Sequence, residues 1–191
     1  MDLDRDQALR KAAALLARRP CATLGEAAQA AEMSRSTLYR YFAGRDAFTQ
    51  ALELLGITEC EAALKVTRLD DGQASEAARR LACEFEPAAD LLTYRYSGSH
   101  LADRWAHLAD QIDAVFRRGQ RQGEFRKDFT SAWLTEALCG LLVSGAEAVR
   151  EGRMAREDFP YMIAELLLGG ASARTGNGCT GSAEVHDSKS L

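Results

Sequence analysis

The chain has 191 residues, of which 47% are hydrophobic and 27% charged, with a formal net charge of −4; this is the profile of a globular chain with room for one large or two small domains. Thirty-four Ala and 24 Leu stand against 5 Val and 3 Ile, a balance that favours helix and excludes an all-β fold or a Val/Ile-rich parallel sheet. The charge is unevenly spread: residues 1–47 carry 8 basic and 6 acidic side chains and residues 48–191 carry 16 and 22, so the small N-terminal part is the basic one.

Leu9, Ala12, Ala13 and Leu16 recur at helical spacing and predict a first helix over 3–18, ended by Arg19-Pro20. Thr23-Leu24-Gly25-Glu26 has the form of a capping box, in which each end residue bonds the other's N–H, and opens a short helix over 24–31. Ser34 is a second N-cap candidate, for a helix over 35–41, and after Ala43-Gly44 a longer helix runs from 45 to about 68. The second and third helices are joined by a tight turn, which is the helix-turn-helix arrangement.

Asp70-Asp71-Gly72 reads as a linker, and helices follow over 73–86, 99–122, 128–151 and 156–168, with a short piece after Pro87. Leu101, Trp105, Leu108, Ile112, Val115 and Gly119 alternate steps of four and three, the seam of an antiparallel bundle. Gly123 is the expected stop of that helix and Asp128 the expected cap of the next. From Gly169 on, the composition is rich in Gly, Ser and Thr and predicts a disordered tail. The expectation is an all-α chain of about nine helices, with a helix-turn-helix domain over 1–47, a helical bundle over 48–169 and a tail over 170–191.

No stretch offers about 18 uncharged apolar residues for a membrane span; the best, Trp133 to Val149, contains Glu136 and Glu147. The N-terminus lacks the basic start and apolar run of a signal peptide, and five scattered cysteines form no CxxC pair. These features predict a cytoplasmic protein without a membrane partner.

The run from Thr23 to Phe48, above all Ser34-Arg35-Ser36-Thr37-Leu38-Tyr39-Arg40-Tyr41-Phe42 followed by Arg45-Asp46, resembles the DNA-binding region of the tetracycline-repressor (TetR) family. A recognition helix places its first residues in the major groove while the helix before it crosses the backbone. Arg35, Ser36, Thr37 and Arg40 lie on or near the exposed start of such a helix, where Arg can pair with guanine and the Thr methyl can meet thymine. The resemblance implies phosphate-positioning roles for Thr23, Tyr39, Tyr41 and Arg45, and core positions for Leu38 and Phe42. Two positions depart from the family pattern: Glu32 stands where a turn glycine is usual, and Ser36 where Gly or Ala is common. If Glu32 takes positive φ, the strain is about 1 kcal/mol.

The resemblance also implies a homodimer on a near-palindromic DNA operator, repression relieved by a small molecule, and an interface built from the last two helices. Small residues (Ala137, Gly140, Ser144, Gly145, Ala148) would allow close helix approach there, and Leu134, Leu138, Leu141 and Val149 would supply burial. An effector pocket within 76–142 has Cys83, Phe85, Tyr94, Tyr96, Trp105, Phe116 and Trp133 as candidate lining, a set that suits an apolar or aromatic ligand. His100, Asp103 and His107 share a helix face, but a fourth ligand is missing and no metal is expected. No cofactor is expected either. An enzyme is disfavoured by the absence of phosphate-loop, GxSxG and HExxH motifs. The alternatives are an adaptor on the same fold and a regulator that responds through the thiols of Cys60 or Cys83.

Overall fold

The computed structural model describes residues 3–19, 21–96 and 101–173, without the side chains of 3, 4, 17, 95 and 96. Among the described residues there are eight α-helices: α1 (Leu3–Arg18), α2 (Leu24–Ala30), α3 (Arg35–Tyr41), α4 (Arg45–Thr67), α5 (Ala74–Glu84), α6 (Ala102–Gln122), α7 (Ser131–Arg150) and α8 (Phe159–Ala171). Short 3-10 turns at Glu86–Ala88, Leu91–Tyr96 and Arg156–Asp158 complete the backbone, and the one β contact among these residues is an isolated bridge between Phe125 and Ser172.

Two apolar clusters organise these helices. Leu9, Ala12, Ala13 and Leu16 of α1 meet Ala27 and Ala28 of α2, Leu38 of α3, and Phe48, Leu52 and Leu55 from the first half of α4. Phe42, just past α3, closes this cluster by setting its ring edge-on to Phe48 at 5.1 Å. The second cluster starts at Ile57 and Cys60 in the second half of α4 and gathers the apolar stripes of α5 to α8. The α6 seam lands as its spacing predicts, with Trp105, Leu108, Ile112, Val115 and Gly119 buried and Leu101 packed at the edge. α4 is therefore a single rod passing through both clusters. At its middle the buried carboxylate of Glu53 accepts the Trp105 indole N–H at 3.1 Å, which ties α4 to α6.

Some element ends differ from the sequence expectation. α7 is capped by Thr130, whose hydroxyl accepts the Trp133 N–H at 3.1 Å, and not by Asp128. Asp128 is held instead by Arg126, whose guanidinium also lies over the Phe129 ring at 4.1 Å. α6 begins at Ala102, and α8 extends from Phe159 to Ala171. Of the tail expected from 170 on, residues 170–173 finish α8 and dock beside the α6–α7 connection, where Ala173 N–H reaches the Glu124 carbonyl at 2.8 Å; the rest lies outside the described residues. α7 is long and apolar enough by composition to cross a membrane, and a third of that stretch is buried in the bundle.

Candidate nucleic-acid interface

α2 and α3 are built by local hydrogen bonds that the sequence announces. Thr23 Oγ1 accepts the Glu26 N–H at 3.2 Å while Glu26 accepts the Thr23 N–H at 2.7 Å, a complete capping box. These bonds from Thr23, helped by Arg19, hold the Glu26 carboxyl below its usual range. α2 then ends in a Schellman motif: the Met33 N–H reaches the Ala28 carbonyl at 2.9 Å and the Glu32 N–H reaches that of Gln29 at 3.0 Å. This closure puts Glu32 at φ 56°, in the left-handed region where glycine is usual. Ser34 caps α3, accepting the Thr37 N–H at 3.1 Å, and its hydroxyl also sits 2.8 Å from those of Ser36 and Thr37.

Seven residues of α3 divide cleanly. Leu38 is buried, Thr37 and Tyr41 are half-buried, and Arg35, Ser36, Tyr39 and Arg40 are exposed. Positions 35, 36, 39 and 40 share one face of the helix, because residues four apart stack on the same side. Tyr39 is 55% exposed despite its large ring. The Tyr41 ring leans inward, packed on the N-terminal cluster and 6.3 Å from Phe42, with the Arg40 guanidinium 5.5 Å above it. Arg35 folds back over α2: a Cβ on Gly25 would fall 2.3 Å from its Nη2, so the bare glycine backbone makes room for the guanidinium. Arg45, at the start of α4, donates to the Ala22 carbonyl and so pins α4 to the α1–α2 connection. Thr23 is exposed, with its hydroxyl engaged in the capping box. Beside the start of α3, a groove of about 390 Å³ is lined by Gln7, Ala8 and Lys11 of α1 and by Ala31, Glu32, Met33, Ser34 and Thr37. Gln7 and Lys11 are not marked in the sequence, where α1 shows only the spacing of its apolar face.

No family model matches the sequence. The helix-turn-helix transcriptional regulator NfxB of Pseudomonas aeruginosa is 34% identical over 179 residues, covering 89% of this chain and 96% of NfxB. The helix-turn-helix transcriptional repressor LfrR of Mycolicibacterium smegmatis is 29% identical over 160 residues, covering 81% of this chain and 84% of LfrR. Among solved structures, the TetR-like regulator LfrR in complex with proflavine superposes with a TM-score of 0.68 at 25% identity, covering 87% of this chain and 95% of that one. The TetR family regulator PfmR of Thermus thermophilus, at 24% identity and a TM-score of 0.60, shares the fold over 85% of this chain and 97% of that one. The chain belongs to the TetR family of helix-turn-helix transcriptional regulators. It is a DNA-binding regulator and not an enzyme.

Elsewhere in the regulator, the residues expected around an effector pocket are only partly brought together. Phe85 and Trp105 line a small cavity of about 30 Å³ with Cys60, Leu92, Leu108, Ala109, Ile112, Glu136 and Cys139. Phe116 is buried apart from it, 5.5 Å from Phe125. Cys83 is exposed on α5, and Trp133 is 61% exposed on α7. Tyr94 packs against the N-terminal cluster, where burial pushes its phenol up to about 12 against the pull of nearby Arg45. The Tyr96 side chain and His100 lie outside the described residues; Asp103 and His107 are exposed, and the described residues contain no cluster of metal-ligating side chains.

The residues expected at a dimer interface split in two. Leu134, Leu138 and Gly145 face the chain's own core, where a Cβ on Gly145 would fall 2.7 Å from the Phe159 ring. Gly140 and Ser144 are exposed, and Ala137, Leu141, Ala148 and Val149 are half-buried at the edge. They border an apolar face that also carries Trp133 of α7 and Tyr161, Met162 and Leu166 of α8, all exposed. On α8 these residues share the exposed side with Glu165, which pairs with Arg79.

Proposed function

We propose that the regulator acts in the cytoplasm as a homodimeric repressor whose two α3 helices enter successive major grooves of a near-palindromic operator. The observation that carries this reading is the single exposed face of α3 formed by Arg35, Ser36, Tyr39 and Arg40 on a fully capped and buried scaffold. One such face covers only a half-site, so a two-fold dimer is the geometry that matches a palindrome. In this division of labour residues 1–47 read DNA and residues 48–169 sense and dimerise. Arg40 reads base edges, as does Arg35 once its side chain swings away from Gly25, with Ser36 and Thr37 beside them. Tyr39 and Thr23 position the backbone, Tyr41 does so from a half-buried ring, and Arg45 adds its charge while anchoring α4.

The dimer surface is the face of α7 and α8 bearing Trp133, Gly140, Ser144, Met162 and Leu166. Exposed apolar patches of this kind mark interaction sites, and the glycines there leave open space for close approach of a second copy.

The effector is a planar aromatic molecule, and a cationic one fits best. LfrR binds proflavine; in this chain Phe85 and Trp105 offer aromatic walls and Glu136 a carboxylate. A cavity of about 30 Å³ holds no such molecule, since drug-sized ligands need about 300 Å³ or more. Binding must therefore part α6 and α7 from α4. α4 carries Cys60 at the cavity and Arg45 at the reading head, so a shift at one end moves the other. The energy for that shift is the ligand's differential affinity for the two arrangements.

The test is selection of bound duplexes from a random pool with wild type and Arg40→Ala, followed by titration of proflavine onto the wild-type complex. The expected result is a palindromic consensus that Arg40→Ala degrades at one base pair per half-site by about 1–3 kcal/mol, with release of the duplex by proflavine. Enrichment of no sequence by a folded, dimeric protein would favour the adaptor.

A further inference from the structure

We propose that Lys11 is a DNA-phosphate contact held in check by Glu32, so that the carboxylate in the helix-turn-helix turn sets how tightly the regulator grips DNA of any sequence. The inference rests on α3 being the DNA-reading helix. Lys11 Nζ lies 2.8 Å from Glu32 Oε2, and the Glu32 side chain is 78% exposed. Both line the groove between α1 and the start of α3, with Gln7, Ser34 and Thr37 on its walls. They are the only charged residues of that lining; the neighbouring Arg10 turns away to pair with Glu59 on α4. A duplex seated on the exposed face of α3 brings its backbone to the mouth of this groove, within range of a four-carbon lysine stem.

The turn itself does not call for a carboxylate. Glu32 occupies a left-handed position at φ 56° that glycine would fill with less strain. Its side chain makes one described contact, the pair with Lys11. An exposed pair of this kind is weak, so phosphate can compete for the ammonium. While Glu32 is ionised, however, releasing Lys11 leaves a bare negative charge well inside a Debye length of the phosphates, and the repulsion offsets the new contact. The result is a cation beside the DNA that contributes little net affinity. Because the contact is to the DNA backbone, the restraint lowers affinity for operator and random-sequence DNA alike.

The experiment measures binding of a fluorescein-labelled random-sequence duplex and of the selected operator, across a range of salt, for wild type, Glu32→Gln, Lys11→Gln and the double variant. Glutamine keeps the residue's size and backbone, and circular dichroism checks the fold of each. Glu32→Gln is expected to tighten both duplexes by about three- to tenfold and to steepen the log–log salt slope by about 0.9, one additional phosphate contact. Lys11→Gln alone should weaken both duplexes, because it leaves the Glu32 carboxylate bare beside the phosphates, and in the double variant, which carries neither charge, affinity and slope should return to about the wild-type values. An unchanged slope in Glu32→Gln overturns the proposal, as does a gain that persists in full without Lys11. Wild type that binds neither duplex removes the DNA reading and this inference with it.

Discussion

Glu32 shows how a single residue departs from its family's pattern without breaking the fold. The Schellman closure of α2 requires a left-handed residue, and Glu32 supplies it at the expense of strain. Glu32→Gly should therefore raise stability slightly, by up to about 0.5 kcal/mol once the greater freedom of glycine in the unfolded chain is set against the relief. The exposed pair with Lys11 adds little to that balance. Urea denaturation of the two proteins checks it, and a destabilised Glu32→Gly would show that the side chain does more for the turn than its geometry suggests. The need for positive φ at this position was readable from the motif. That Arg35 folds over Gly25 and that Arg45 is anchored to Ala22 was not, because both depend on how α2 sits across α3 and α4.

At the scale of elements, α2 and α3 were legible from their own caps: Thr23 for α2 and Ser34 for α3 are read straight from local spacing. α5 is different. Its first N–H groups, those of Ala74 and Ser75, are satisfied by the carboxylate of Glu124, 50 residues away in sequence, and Ser75 Oγ donates to the same group at 2.7 Å. No local pattern announces such a cap. Burial alone would raise the Glu124 carboxyl, but these hydrogen bonds, with Arg118 nearby, hold it below the ordinary value of 4.5. A carboxyl depressed in the folded state stabilises fully above its unfolded value, and that contribution fades as pH falls through the folded value. Glu124→Gln should thus lower Tm at neutral pH, and its difference from wild type should shrink on acidification below pH 4.5. A gap in Tm that stays constant down to about pH 3 would contradict this role for the charge. The cap of α7 was misplaced for a related reason: Asp128 is a good N-cap residue by type, but Arg126 claims it and Thr130 takes the position.

Over the whole molecule, the two clusters meet at a charged junction as well as along α4. Arg150, at the end of α7, pairs with Asp90, and burial together with the Arg18 charge at the end of α1 pulls its guanidinium below the ordinary value. The end of α7 thus carries its positive charge near the like charge at the end of α1. The α7–α8 face shows where sequence reading stops: Leu134 and Gly140 lie on one helix in an equally apolar context, yet one is core and the other open. Helical period alone does not say which side of an apolar helix a second copy covers. In the fold, the exposed Trp133, Met162 and Leu166 distinguish the open side from the buried one.

The central claim, that two copies joined through this face read one operator, is tested most directly by the mass of the complex on the selected duplex. Multi-angle light scattering of wild type and Leu166→Glu, with and without DNA, is the measurement. Two wild-type chains per duplex are predicted, with Leu166→Glu monomeric, folded and at least tenfold weaker on the operator, about 1.4 kcal/mol or more. A single wild-type chain per duplex at full affinity, or a Leu166→Glu protein that still dimerises and binds as wild type does, would contradict the account.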